Sequence, residues 1–257
     1  MFSAKLVIGA ALTSIFLASS AASASGLQVA PTSLDLAPNK NADGLWLSNT
    51  GDGPLHAQVR VFHWTQEGGE EKLAPSRGLA ISPPMLQIDT GARQLVRVIR
   101  SGAPPSVNED AYRVLIDELP VDESQTSTDD ASKSAVPQGG LQYVLRYSVP
   151  IFVQPSGQAG SVAPKLSGKV VHEGDQTFIE VANQGSGHAQ LGNLVLVDAQ
   201  GKRDELSAGL VGYVLPGQTK RWPLKVSAQA LASAASLQSR INSEPVEQTL
   251  VLLAPAR

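Results

Sequence analysis

The chain has 257 residues, a formal net charge of -3, 17% charged residues, 23 glycines, 17 prolines and no cysteine. That balance provides no general basic surface for nucleic acid or anionic lipid. It also excludes a small domain stapled by disulfides, so stability must rest on a buried core.

The first residues read as a targeting signal, 1–24. Lys5 gives a positive start, Leu6 to Ala18 an apolar stretch, and Ala22-Ser23-Ala24 a small-residue cleavage site. The stretch is short for a bilayer span, and no other segment approaches about 20 apolar residues. The expectation is an exported chain, beginning near Ser25, with no membrane insertion.

Leu27 to Leu36 alternates weakly around Pro31, as an interrupted edge strand would. Gly44 to Ser48 leads into the turn cluster Asn49-Thr50-Gly51-Asp52-Gly53-Pro54, and Leu55 to Trp64 then alternates clearly. Gln66 to Arg77 reads as a polar loop. Leu79 to Ile81 is a strand stopped by Ser82-Pro83-Pro84, and Met85 and Ile88 precede a turn at Asp89 to Ala92. Gln94 to Arg100 and Ala111 to Leu119 are strands with arginine set among apolar residues. Asp122 to Gly140 is polar and poor packing material.

The most informative stretch is Leu141 to Pro155. Its odd positions, Leu141, Tyr143, Leu145, Tyr147, Val149, Ile151 and Val153, form an apolar row, while its even positions are mixed. Pro150 cannot donate to a ladder, so one side of this strand must be unpaired there. A long apolar edge strand is an aggregation hazard. It is either covered within the fold or kept to pair with another chain.

Residues 155–163 have linker composition, and the strand pattern then restarts. Strands are expected at Thr177 to Ala182, Ala189 to Asp198, Gly212 to Leu215, Lys220 to Val226 and Val246 to Leu253, with one short helix over Ala228 to Gln238. The Asn-x-Gly-x-Gly unit at Asn49 recurs at Asn183. The expected fold is all-β: two immunoglobulin-like β-sandwich domains, 25–154 and 164–257, joined at an angle.

The search for chemistry finds no enzyme. His56 and His63 lie seven apart on one strand and face opposite sides, so they cannot chelate together. Asp117 and Glu118 are adjacent on a strand and diverge, unlike a glycosidase pair. No zinc spacing, nucleophile elbow or phosphate loop is present, and no cofactor or metal is implied. More informative are arginines embedded in apolar strands: Arg60, Arg97, Arg113 and Arg146. Each either reaches to solvent or grips a carboxylate in a cleft.

Taken in order, Val29-Ala30-Pro31, Leu47-Ser48-Asn49-Thr50-Gly51, Ser82-Pro83-Pro84, Gln94-Leu95-Val96-Arg97-Val98, Tyr112-Arg113, Glu118-Leu119-Pro120, Arg146-Tyr147-Ser148-Val149-Pro150-Ile151-Phe152 and Gly212-Tyr213-Val214-Leu215-Pro216-Gly217 resemble the PapD-like periplasmic chaperones of the chaperone–usher pathway. Tyr-Ser-Val-Pro-Ile-Phe looks most like the archaic, spore-coat-protein-U-associated branch. The resemblance implies a periplasmic protein that lends a strand to pilin-like subunits and passes them to an outer-membrane usher. The lent strand would carry Leu141, Tyr143, Leu145, Tyr147 and Val149, and its apolar edge, with no subunit bound, would favour self-association or a rearrangement in which the preceding polar segment shields it. The better-known branch holds the subunit's terminal carboxylate with an Arg in the first strand and a Lys in the lent strand. Here Ser33 and Leu145 stand at those positions, which leaves Arg146, Arg97 and Arg113 as anchor candidates. The rival expectation is a two-domain immunoglobulin-like structural or adhesive surface protein.

Overall fold

The structure is a computed structural model that describes residues 26–120, 144–157 and 162–252. The expected signal, the polar segment from Asp122 to Gly140, and Leu141 and Tyr143 lie outside the described residues.

In chain order the first half contains β1 (Leu27–Ala30), β2 (Leu34–Leu36), β3 (Ala42–Asn49), β4 (Leu55–Glu67), β5 (Glu70–Pro75), β6 (Leu79–Ser82), β7 (Met85–Ile88), β8 (Arg93–Arg100), β9 (Asp110–Leu119) and β10 (Arg146–Val153). The second contains β11 (Leu166–Glu173), β12 (Gln176–Asn183), β13 (Ala189–Asp198), β14 (Arg203–Val214), β15 (Thr219–Pro223), α1 (Ala228–Ser233), β16 (Ala234–Ile241) and β17 (Glu247–Leu252). The first half packs a β1-β3-β8-β6 sheet against a β2-β10-β9-β4-β5 sheet, in which β7 also pairs with β4. The second packs β11-β12-β15 against β14-β13-β16-β17. The chain is therefore a pair of immunoglobulin-like sandwiches. No described helix is long and apolar enough to cross a membrane.

Alternation decides what fills each sandwich. Leu45, Leu47, Val96, Val98, Val114, Ile116 and Ile151 are inaccessible in the first core, and Ile179, Val181, Leu191, Val214 and Leu237 in the second. Such burial is worth about 1.5–3 kcal/mol per large side chain, before conformational entropy is set against it.

Two local expectations fail. Gln66 to Arg77 is not a loop: β4 continues to Glu67, and β5 pairs with it from Glu70↔Glu67 to Pro75↔Phe62. Gly68 and Gly69 adopt the positive φ values of a tight hairpin turn. All of β5 is exposed, so it carries none of the apolar alternation that marks a half-buried strand. The expected helix over Ala228 to Gln238 covers only Ala228–Ser233, with Ser227 as its N-cap, before β16 begins. Buried Ala234 and Leu237 turn that second part towards the core as a strand.

The repeated asparagine unit forms the same corner in both halves. Asn49 is 2% exposed and Asn183 1%. The Asn49 side chain accepts from Gly51 N and donates to Gly53 O and Ile88 O, and its backbone exchanges bonds with Ala92 O and Gly91 N. Asn183 repeats this with Gly185 N, Gly187 O, Val214 O, Gln218 O and Gly217 N. Gly91 and Gly217 both hold positive φ, +73° and +70°, where a side chain would be strained.

The halves meet over a small apolar cluster of Trp64, Ala111 and Phe152 with Tyr213 and Leu215. Gln66, 1% exposed, clasps them: its Nε2 donates to Tyr213 O at 2.8 Å, and Leu215 N donates to its Oε1 at 3.0 Å.

Candidate functional site

The β10 strand lies near the rim of its sheet. On one side its whole length pairs antiparallel with β9; on the other, only Ile151–Val153 pair, in parallel, with Leu34–Leu36. Arg146 to Pro150 face no further strand among the described residues. Leu145 O accepts from Glu118 N, whereas Gln154 N donates outward to Leu36 O. Odd-numbered backbone groups therefore serve β9, and even-numbered ones face the rim. Pro150 is even, so its missing N–H costs the sheet nothing. Arg146 and Ser148 turn their N–H and C=O groups to the open rim.

The odd side chains point into the sandwich. Val149, Ile151 and Val153 are buried in the core, while Leu145 and Tyr147 pack partly against it. The Tyr147 hydroxyl donates to Leu27 O on β1 at 2.7 Å, bridging the two sheets on their open side.

The even side chains share the outer face with alternate residues of β9 and β4. There Asp117, 8% exposed, accepts from Arg60 Nη2 at 2.7 Å and from Arg146 Nε. Burial pushes the Asp117 carboxyl up, but the hydrogen bonds and charges of Arg60 and Arg146 outweigh it and hold the group below its ordinary value. Two guanidiniums on one carboxylate leave a net positive cluster beside the open rim.

The arginines predicted as a set are not gathered at one point. Arg113 sits on the same face as Arg146 but at the junction of the halves. Its guanidinium lies 3.7 Å over the Trp64 ring and 5.4 Å from Tyr213, with Glu71 Oε2 at 3.8 Å. Burial lowers the Arg113 pKa, opposed by Glu71 and Tyr213. Arg97 is exposed on β8 in the opposite sheet, between Gly44 and Ser82.

Sequence reasoning missed a polar cavity of about 310 Å³ between the halves, lined by Ser33, Asp35, Glu109, Gln154, His188 and Gln190 among others. The Glu109 carboxylate accepts from the His188 backbone N at 2.6 Å and lies 2.9 Å from His188 Nδ1. The His188 ring stacks flat on Phe152, with centroids 3.5 Å apart. Asp35 is exposed, but its partial loss of solvent at the cavity wall raises its pKa; His188 lowers it and Glu109 raises it further. These residues come from distant parts of the chain, so no spacing joins them in the sequence. Arg146 is eight residues along the chain from Gln154 at this cavity, about 27 Å of extended chain.

The family model "Pili and flagellar-assembly chaperone, PapD N-terminal domain" matches residues 26–159. The chain belongs to this family. A comparison with curated proteins gives no match. Among solved structures, the chaperone is similar to CsuC of Acinetobacter baumannii, in its pre-assembly complex with the tip adhesion subunit CsuE of archaic chaperone-usher Csu pili. The TM-score is 0.66 and the identity 23%, over 87% of this chain and 96% of that one. Similarity to the Pseudomonas aeruginosa CupB2 chaperone has a TM-score of 0.56 at 18% identity, covering 88% and 100% of the two chains. For Salmonella enterica SafB, solved in complex with the SafA pilin, the values are 0.58 and 16%, covering 87% and 96%. At these identities the structures establish a shared fold. Within it, this chaperone has Ser33 and two carboxylates in the cavity between its halves.

Proposed function

We propose that this chaperone is exported to the periplasm, captures pilin-like subunits by donating β10 and its N-terminal extension, and passes them to an outer-membrane usher. The observation that carries this reading is the open rim of β10. From Arg146 to Pro150 it pairs on one side only, with unpaired backbone groups of the kind strand addition uses. Of the predicted row, the donated side chains are Leu141, Tyr143, Leu145 and Tyr147, the first two lying outside the described residues; Val149, predicted with them, is buried in the chaperone's own core. The domain division at 155–163 and membership of the archaic branch belong to the same proposal. Without a subunit, the rim is the place for self-association.

For the subunit's terminal carboxylate, the net positive Arg60–Asp117–Arg146 cluster makes Arg146 the leading anchor. Arg113 has its charge held under aromatic rings, and Arg97 lies on the other sheet.

The test is co-expression with pilin-like subunits followed by pull-down from periplasmic extract. The wild type should recover soluble subunit. Leu141→Glu, which puts a charge into the subunit's apolar groove, should not. Normal recovery with Leu141→Glu would overturn the assignment of the donated strand. A purified chain that binds surface ligands with no subunit present would favour an adhesive protein.

A further inference from the structure

We propose that Asp35, Glu109 and His188 form a binding site for a divalent transition-metal ion, best matched by zinc, which ties the two halves together. One ligand atom from each residue lies within 4.8 Å of the other two. Asp35 and Glu109 belong to the first half of the chain and His188 to the second, so an ion held by all three bridges the halves. The chain has no cysteine, and a disulfide staple is not open to it.

The donor chemistry selects the ion. One imidazole nitrogen and two carboxylate oxygens suit zinc, with the fourth position left to water from the cavity. A tetrahedral zinc bonded at about 2.0–2.2 Å spaces its ligand atoms by roughly 3.3 Å. His188 Nδ1 and Glu109 Oε2 are already 2.9 Å apart, and Asp35 is exposed and free to swing by the remaining distance. The ion replaces the hydrogen shared between Nδ1 and Oε2, leaving the imidazole neutral with its proton on Nε2.

Two further observations point to a cation. The site is held before any ion arrives: Phe152 fixes the plane of the His188 ring, and the His188 N–H fixes the Glu109 carboxylate. Its charge is also unbalanced. Among the described residues neither Lys nor Arg lines the cavity, although two carboxylates do, and the Asp35 side chain has no hydrogen-bond partner there.

The experiment is a calorimetric titration of zinc chloride into the full mature protein after chelator treatment and dialysis. The titration contains no subunit, so its outcome is independent of subunit capture. One equivalent should bind, and the midpoint of thermal unfolding should rise with zinc relative to chelator. Asp35→Asn and His188→Gln should each weaken binding by about 10-fold or more. His172→Gln, at an exposed histidine bonded to Thr177, should leave it unchanged. Because Asp35 is exposed, its variant keeps the fold and decides the matter even if His188→Gln does not fold. Absence of one-to-one binding would overturn the site, as would zinc affinity and thermal shift unaltered in Asp35→Asn.

Discussion

Replacing Ser148 with proline should abolish capture of a subunit while leaving the chaperone folded. The Ser148 N–H faces the rim of β10, as that of a residue at position 150 would, and the chain already places Pro150 two residues further on. Proline at 148 removes no bond to β9, and Tyr147 is already extended, as a residue before proline must be. The cost to the isolated chaperone should stay below about 1 kcal/mol. An incoming strand loses the Ser148 N–H outright, and the pyrrolidine ring occupies the space it needs at about 4.8 Å. The four rim-facing backbone groups of Arg146 and Ser148, each worth about 1 kcal/mol net when bonded, amount to about 4 kcal/mol, or nearly 1000-fold in affinity. The assay is competition between differently tagged wild-type and variant chaperones for a refolding subunit, with Ser148→Ala as the control that keeps the N–H. Capture undiminished in Ser148→Pro would refute the rim as the docking edge. Unfolding of the free variant would refute the deduced direction of the amides.

Arg146→Ala should weaken capture about 30-fold or more, since a docked subunit would bury the pair formed by Arg146 and its terminal carboxylate, and removing one member of such a pair costs about 2–5 kcal/mol; a subunit lacking its last residue should bind wild type and variant equally poorly. Gln66→Ala leaves Tyr213 O and Leu215 N buried without partners, at about 1–3 kcal/mol each, so the midpoint of thermal unfolding should fall markedly. An unchanged midpoint would mean the clasp contributes nothing. The depressed Asp117 pKa gives a stabilisation present above the unfolded carboxyl value near 3.9 and lost as pH falls through the lower folded value. Because Arg60 and Arg146 are 43% and 65% exposed, this should amount to only about 0.2–1 kcal/mol. Denaturation of wild type and Asp117→Asn should therefore show a constant gap from pH 5 to 7 that closes below about pH 4.

The sandwiches were legible because a strand with one buried face writes its period into the sequence. Leu55 to Trp64 and the odd positions of β10 alternate, and the core received those residues. Pro150 likewise announced an unpaired side, and the ladder has one. The β5 strand was hidden because both its faces meet water, so nothing selects apolar residues at every second position. The extent of α1 was hidden for a different reason: Ala-rich sequence favours helix, and packing around Ala234 and Leu237 overrides that preference from Ala234 onward. The arginines of the site could be picked out individually as charges among apolar neighbours. Their partners could not, because Asp117 meets Arg60 and Arg146 only through strand register, and the Asp35–Glu109–His188 cavity exists only once two sandwiches are apposed.

The matched asparagine corners put the halves in register, with Leu27 opposite Asn49 as Leu166 is opposite Asn183. Near these equivalent positions the two sandwiches are shut by different means. In the second half, backbone lies on backbone: a Cβ added at Gly168 would come 2.8 Å from Leu250 O, so β11 and β17 are sealed like a seam. In the first half the equivalent gap is crossed by the Tyr147 side chain reaching Leu27 O. A seam of main chain opens only if strands separate, whereas a tyrosine latch opens by rotation about its own side-chain bonds. Of two sandwiches built on one plan, the first is closed by a door and the second by a seam.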